Sequence, residues 1–67
     1  MKENINFLDI LQVKKMTGFK STTSIYTLIR EENFPEPVRI GLRTKKWVES
    51  EVQDWMKFQI AKTRGLL

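Results

Sequence analysis

Thr17-Gly18-Phe19-Lys20-Ser21-Thr22-Thr23-Ser24-Ile25-Tyr26-Thr27-Leu28-Ile29-Arg30 is the stretch on which the architecture turns. Gly18 can take the left-handed conformation that closes a helix, so Thr17-Gly18 ends whatever helix precedes it. Ser21 is suited to cap a second helix, with Thr22 or Thr23 as alternatives. Ile25, Leu28 and Ile29 then recur at the i, i+3, i+4 spacing of a buried helical stripe. The exposed rim of the first turns is Thr22, Thr23, Tyr26, Thr27 and Arg30. Two short helices joined by a tight, glycine-containing turn make a helix-turn-helix candidate.

Upstream, Asp9 is the expected N-cap of the first helix, and Gln12 three residues on completes a capping box. Ile10, Val13 and Met16 supply its apolar stripe, while Lys14 and Lys15 point elsewhere. Downstream, Asn33 is the expected stop for the second helix. Phe34-Pro35-Glu36-Pro37 must be extended, because each proline fixes its own φ and biases its predecessor away from helix. Val38-Arg39-Ile40 alternates apolar, basic, apolar, the pattern of a strand with one buried face. Gly41–Lys45 is expected to turn and Lys46-Trp47-Val48 to return, giving a small hairpin. Ser50-Glu51-Val52-Gln53 has the form of a second capping box, and Val52, Trp55, Met56 and Ile60 give a last helix its inward stripe. The spacing predicts helices at about 9–17, 21–32 and 49–62, a hairpin at about 38–48 and a frayed tail at 63–67, all in one domain spanning 1–67.

Sixty-seven residues lie near the lower limit for a self-sufficient core. The chain has no cysteine and no histidine, so neither a disulfide nor a Cys/His zinc site can reinforce it, and no metal or other cofactor is expected. Packing must rest on Phe7, Phe19, Tyr26, Phe34, Trp47, Trp55 and Phe58. The same absences remove the commonest general base and the most easily activated nucleophile, so no catalytic residues are expected and the chain is not read as an enzyme. No apolar run approaches the roughly 20 residues needed to span a bilayer, and Met1–Asn6 is unlike a secretory signal. A reducing cytosol is the expected address.

Charge is segregated along the chain. All eight acidic residues fall outside the windows Ile10–Arg30 and Pro37–Val48, which hold eight of the twelve cations: Lys14, Lys15, Lys20, Arg30, Arg39, Arg43, Lys45 and Lys46. Carboxylates are thus missing where the helix pair and the hairpin lie. Such a surface favours a polyanion, since each neutralised phosphate releases condensed counterions.

In this order the elements resemble a small winged helix-turn-helix of the MerR-like group, and in particular the AlpA-type phage regulators and related recombination directionality factors (excisionases). The resemblance rests on Thr17-Gly18, on Ser24-Ile25-Tyr26 with Leu28-Ile29, and on Phe34-Pro35-x-Pro37-Val38-Arg39-Ile40-Gly41. It continues through Arg43, Trp47 and Ser50-Glu51-Val52-x-x-Trp55, spanning roughly residues 10–60. It implies a mainly α fold with a small β-hairpin: three helices plus a two-stranded wing between helices 2 and 3. It also implies that the second helix enters the major groove while the wing touches backbone or minor groove. Carried over residue by residue, Ser24-Ile25-Tyr26 marks the recognition helix and Arg43 the basic residue of the wing. Two departures stand out. The family usually has one residue fewer between the glycine and the second helix, and the position after Tyr26 is commonly arginine but is Thr27 here. Readout therefore shifts from a guanine contact toward Arg30 or the threonines.

The expected DNA-contacting residues are Ser21, Thr22, Thr23, Ser24, Tyr26, Thr27 and Arg30 on the second helix, and Arg39, Arg43, Thr44, Lys45 and Lys46 on the wing. Each has a plainer reading as a helix cap, a packed ring or a solvated hairpin tip. The function expected is sequence-specific binding of double-stranded DNA by a phage or mobile-element transcription regulator or excisionase at the nucleoid. An integrase or RNA polymerase would be the protein partner, and self-association or cooperative binding on repeated sites would extend the small contact surface. The alternative is a protein-interaction module on the same fold, inhibiting or recruiting an acidic partner such as a recombinase or response regulator.

Overall fold

The computed structural model describes residues 4–66. Strand β1 (Phe7–Leu8) leads into helix α1 (Ile10–Thr17) and helix α2 (Thr22–Glu31). Strands β2 (Val38–Ile40) and β3 (Thr44–Val48) form the hairpin, and helix α3 (Glu49–Thr63) follows directly. The result is a winged helix-turn-helix: three helices, with the antiparallel hairpin between α2 and α3. A third strand was not foreseen. β1 pairs antiparallel with β3, Phe7 opposite Val48 and Leu8 opposite Trp47, so the sheet order is β1-β3-β2.

The first two helices are set locally, as their capping residues imply. The Asp9 carboxylate accepts the Gln12 amide at 2.8 Å while the Gln12 side chain accepts the Asp9 amide at 2.9 Å, closing the capping box. Gly18 ends α1 at φ +84°, with its amide donating to the Lys14 carbonyl. Ser21 caps α2, its hydroxyl accepting the Ser24 amide at 3.0 Å. Asn33 takes the left-handed conformation, φ +59°, one residue beyond the Glu32 C-cap; asparagine tolerates it better than most residues.

Each of these segments sends one residue into the core: Leu8 from β1, Val13 from α1, Ile25 from α2, Phe34 from the linker, Trp47 from β3 and Val52 from α3. The linker is stapled by both tryptophans. The Trp47 indole N–H donates to the Pro35 carbonyl and the Trp55 indole N–H to the Glu32 carbonyl, each at 2.9 Å. Phe34 lies between them, its ring edge-on to Trp55 with centroids 4.9 Å apart. The second bond satisfies a carbonyl at the end of α2 that the helix itself leaves unpaired.

Several expectations need correction. β2 has no buried face: Val38 and Ile40 are 37% and 40% exposed. The return strand begins at Thr44, two residues before the expected Lys46, since the turn needs only residues 41–43. Ser50 does not cap α3. The helix begins at Glu49 straight from β3, with Val48 at the N-cap position and no side-chain cap. The Glu49 amide instead donates to the Asn6 carbonyl at 2.8 Å, and the Asn6 side-chain amide to the Glu49 carboxylate at 3.1 Å. Of the aromatic residues expected to pack, only Phe34 and Trp47 are fully buried; Phe7, Phe19, Tyr26 and Phe58 are exposed and Trp55 is half-buried. Ile60, expected inward, is 48% exposed. α3 reaches Thr63, and beyond it the Leu66 amide donates to the Ala61 carbonyl at 2.8 Å.

Candidate nucleic-acid interface

The α2 rim divides into two chemical groups. Ser21 and Ser24 are engaged with one another: their hydroxyl oxygens lie 2.8 Å apart, and Ser21 also holds the Ser24 amide. Thr22 and Thr23 stand exposed on the same first turn. Lys14 of α1 reaches across to donate to the Thr22 hydroxyl at 3.4 Å. A cation from the neighbouring helix therefore sits at the positive end of α2, whose first turn carries no carboxylate. From the sequence Lys14 was placed only off the apolar stripe of α1. The spacing to Thr22 could not reveal the bond, because it depends on how α1 and α2 cross.

Further along α2, Tyr26 is exposed at its rim while its ring meets Trp47 edge-on, centroids 6.2 Å apart. Thr27 is half-buried beside it. Arg30, one helical turn beyond Tyr26, forms an exposed ion pair with Glu31 at 3.4 Å. Pairs of that kind contribute little and yield readily to a competing anion.

The hairpin register sorts the wing residues by side. Arg39 stands directly opposite Lys45, Val38 opposite Lys46, and Ile40 opposite Thr44. Opposed residues of an antiparallel pair project from the same side of the sheet, and alternate residues along a strand project from the same side. Arg39 and Lys45 thus share the side of buried Trp47, whereas Thr44 and Lys46 project from the other. Arg43 lies in the turn, next to Leu42, whose side chain is 92% exposed. Gly41 enters that turn at φ +75°, a backbone conformation that a side chain would strain. Among the described residues neither Arg39 nor Lys45 has a carboxylate partner. Leu42 was not singled out from the sequence, although a lone leucine in a polar turn was the available signal.

The rim of α2 and the Arg39–Lys45 pair are therefore joined through one aromatic contact, Tyr26 on Trp47, with Lys45 two residues from that tryptophan. No described helix is long and apolar enough to cross a membrane, and no described group of acidic residues is arranged to hold a metal ion.

Comparison with known proteins gives this arrangement a family. The pattern described as "Prophage CP4-57 regulatory protein (AlpA)" matches residues 6–60, from β1 to near the end of α3. The chain belongs to the AlpA family of phage regulatory proteins. The matched span includes the helix pair and the hairpin of this chain. It is also 40% identical over 55 residues to a protein described as uncharacterized protein ORF88 of Enterobacteria phage P4, a match covering 82% of this chain. The chain spans 61% of the length of that relative. No solved structure matches it significantly.

Proposed function

We propose that this AlpA-family chain binds double-stranded DNA, with α2 in the major groove and the wing on the flanking backbone. The observation that carries the reading is the Arg39–Lys45 pair. Two like charges directly opposite across a hairpin destabilise it, and neither has a carboxylate to offset the cost among the described residues. A phosphate bound between them would turn that repulsion into attraction. Arg43 at the turn extends the same grip.

On the helix, Thr22 and Thr23 present hydroxyls beside Lys14 at a helix N-terminus, an arrangement suited to phosphate. Tyr26, Thr27 and Arg30 continue along the rim toward base edges, which the major groove distinguishes by their donors and acceptors. Ser21 and Ser24 serve chiefly to hold the start of α2, and Lys46 and Thr44 meet the duplex only if it wraps past the hairpin's far side.

The module supplies regulation without catalysis. One such unit covers little DNA, so occupancy on repeated sites, with self-association or cooperative neighbours, follows from its size. Bound in that way in the cytoplasm, at the nucleoid, it would act as a phage or mobile-element transcription regulator beside RNA polymerase, or as an excisionase beside an integrase. Selection of bound sequences from a random duplex pool, followed by anisotropy titrations at low and physiological salt, tests the reading. Enrichment of a common motif is the expected result. An absence of affinity for every duplex at low salt would sink it.

A further inference from the structure

A second surface carries the opposite chemistry. A groove of about 720 Å³ runs between the end of α2, the linker and α3, with Trp55 and Phe58 on its apolar floor and Glu32, Glu36, Glu51 and Asp54 around it. No lysine or arginine lines it. All four carboxylates are exposed, and none forms an ion pair among the described residues. The floor is rigid, because Trp55 is held by its bond to the Glu32 carbonyl and by the Phe34 ring. Phe58 is half exposed, and the Lys62 ammonium, one turn along α3, lies 6.0 Å from its ring centroid.

Local structure accounts for only part of this charge. Glu51 lies in the first turn of α3, where the helix dipole favours a carboxylate. Glu32 is the C-cap of α2, the end where the dipole opposes negative charge. Glu36 lies between two prolines, in no helix at all. Such acids crowded around exposed aromatic rings complement a cation that also offers apolar surface, and the ring faces themselves attract guanidinium or ammonium groups. The acids do not converge as metal ligands among the described residues.

We propose that this groove docks a cationic segment of a partner protein, one in which basic residues flank an apolar side chain. The wing of a second copy, with Leu42 between basic residues, has related chemistry. On the DNA reading, however, the wing is already taken by phosphate, so the segment comes from a different protein.

The test is a nuclear magnetic resonance titration of the isotope-labelled full chain, free and bound to duplex, with a synthetic peptide in which arginines flank a leucine. The same peptide with glutamates replacing the arginines is the control. The arginine peptide should move the amide signals of Glu32, Glu36, Asp54 and Phe58 and the Trp55 indole N–H in both states, and the control should move none. Glu36→Gln combined with Asp54→Asn should weaken the peptide roughly tenfold, by loss of two exposed ion pairs, and exposed neutral substitutions of this kind leave the fold intact. Silence at the groove, or unchanged affinity in the neutralised variant, overturns the proposal. Concentration-dependent shifts at the groove and at Leu42–Lys45 together, without peptide, assign the groove to a second copy and overturn it as well. A failure of the DNA reading is visible separately, as absent duplex binding alongside an intact peptide response.

Discussion

Tyr26 rests edge-on against Trp47 at 6.2 Å, and this contact ties the exposed rim of α2 to the strand that carries Lys45. Trp47 is at once a core residue, the donor to the Pro35 carbonyl and the platform for Tyr26. One side chain therefore sets how the helix and the hairpin stand relative to each other.

Trp47→Phe should be costly for that reason. It strands the Pro35 carbonyl and leaves a void, for a loss of about 2–4 kcal/mol. Domains of this size rarely hold more than roughly 3–5 kcal/mol in all, so thermal unfolding should show a drastically lowered midpoint or no cooperative transition. A midpoint within a few degrees of the parent would mean the core does not lean on this residue.

Arg43→Ala combined with Lys45→Ala should weaken binding to cognate and random duplexes alike. The slope of log affinity against log salt should fall by roughly two, one for each lost phosphate contact. Anisotropy titrations across a salt series measure it. A slope identical to the parent's removes the wing from the interface.

Ser21→Ala and Thr23→Ala should separate structure from recognition. Ser21 is engaged in capping, so its loss should cost about 1 kcal/mol of stability while the preference for cognate over random DNA stays fixed. Thr23→Ala, or Thr27→Ala, should instead narrow that preference. Paired melting and competition binding experiments read both quantities, and a Thr23 variant with full discrimination would show that this position reads no base.

Leu42→Ser should leave the unfolding midpoint unchanged, since a side chain this exposed makes no core contact and surface changes stay within about 0.5 kcal/mol. Any loss of duplex affinity in this variant then belongs to the interface alone. A lowered midpoint would reveal packing at the hairpin tip.

What could be read from the chain was whatever short-range chemistry determines. Asp9, Gln12, Gly18 and Ser21 act on neighbours within four residues, so the ends of α1 and the start of α2 follow from composition and spacing alone. β1 was hidden because two residues carry no periodicity, and Phe7-Leu8 pairs with a strand about forty positions away. The start of α3 was misread for a related reason. Ser50 offers a cap, but the chain leaves β3 already paired to β1, so the helix begins at Glu49 and the Asn6 carbonyl takes its first amide. At the candidate interface the residue types were visible but their sides were not: only the register parts Lys45 from Lys46, and only the crossing of α1 and α2 brings Lys14 to Thr22.

β2 alone among the strands and helices gives nothing to the interior. Its three residues, with Leu42 and Arg43 but not the positive-φ Gly41, can accordingly be rewritten with little penalty to folding. A lineage could retune where this molecule settles by changing letters between Val38 and Arg43, while Leu8, Val13, Ile25, Phe34, Trp47 and Val52 keep the body as it is.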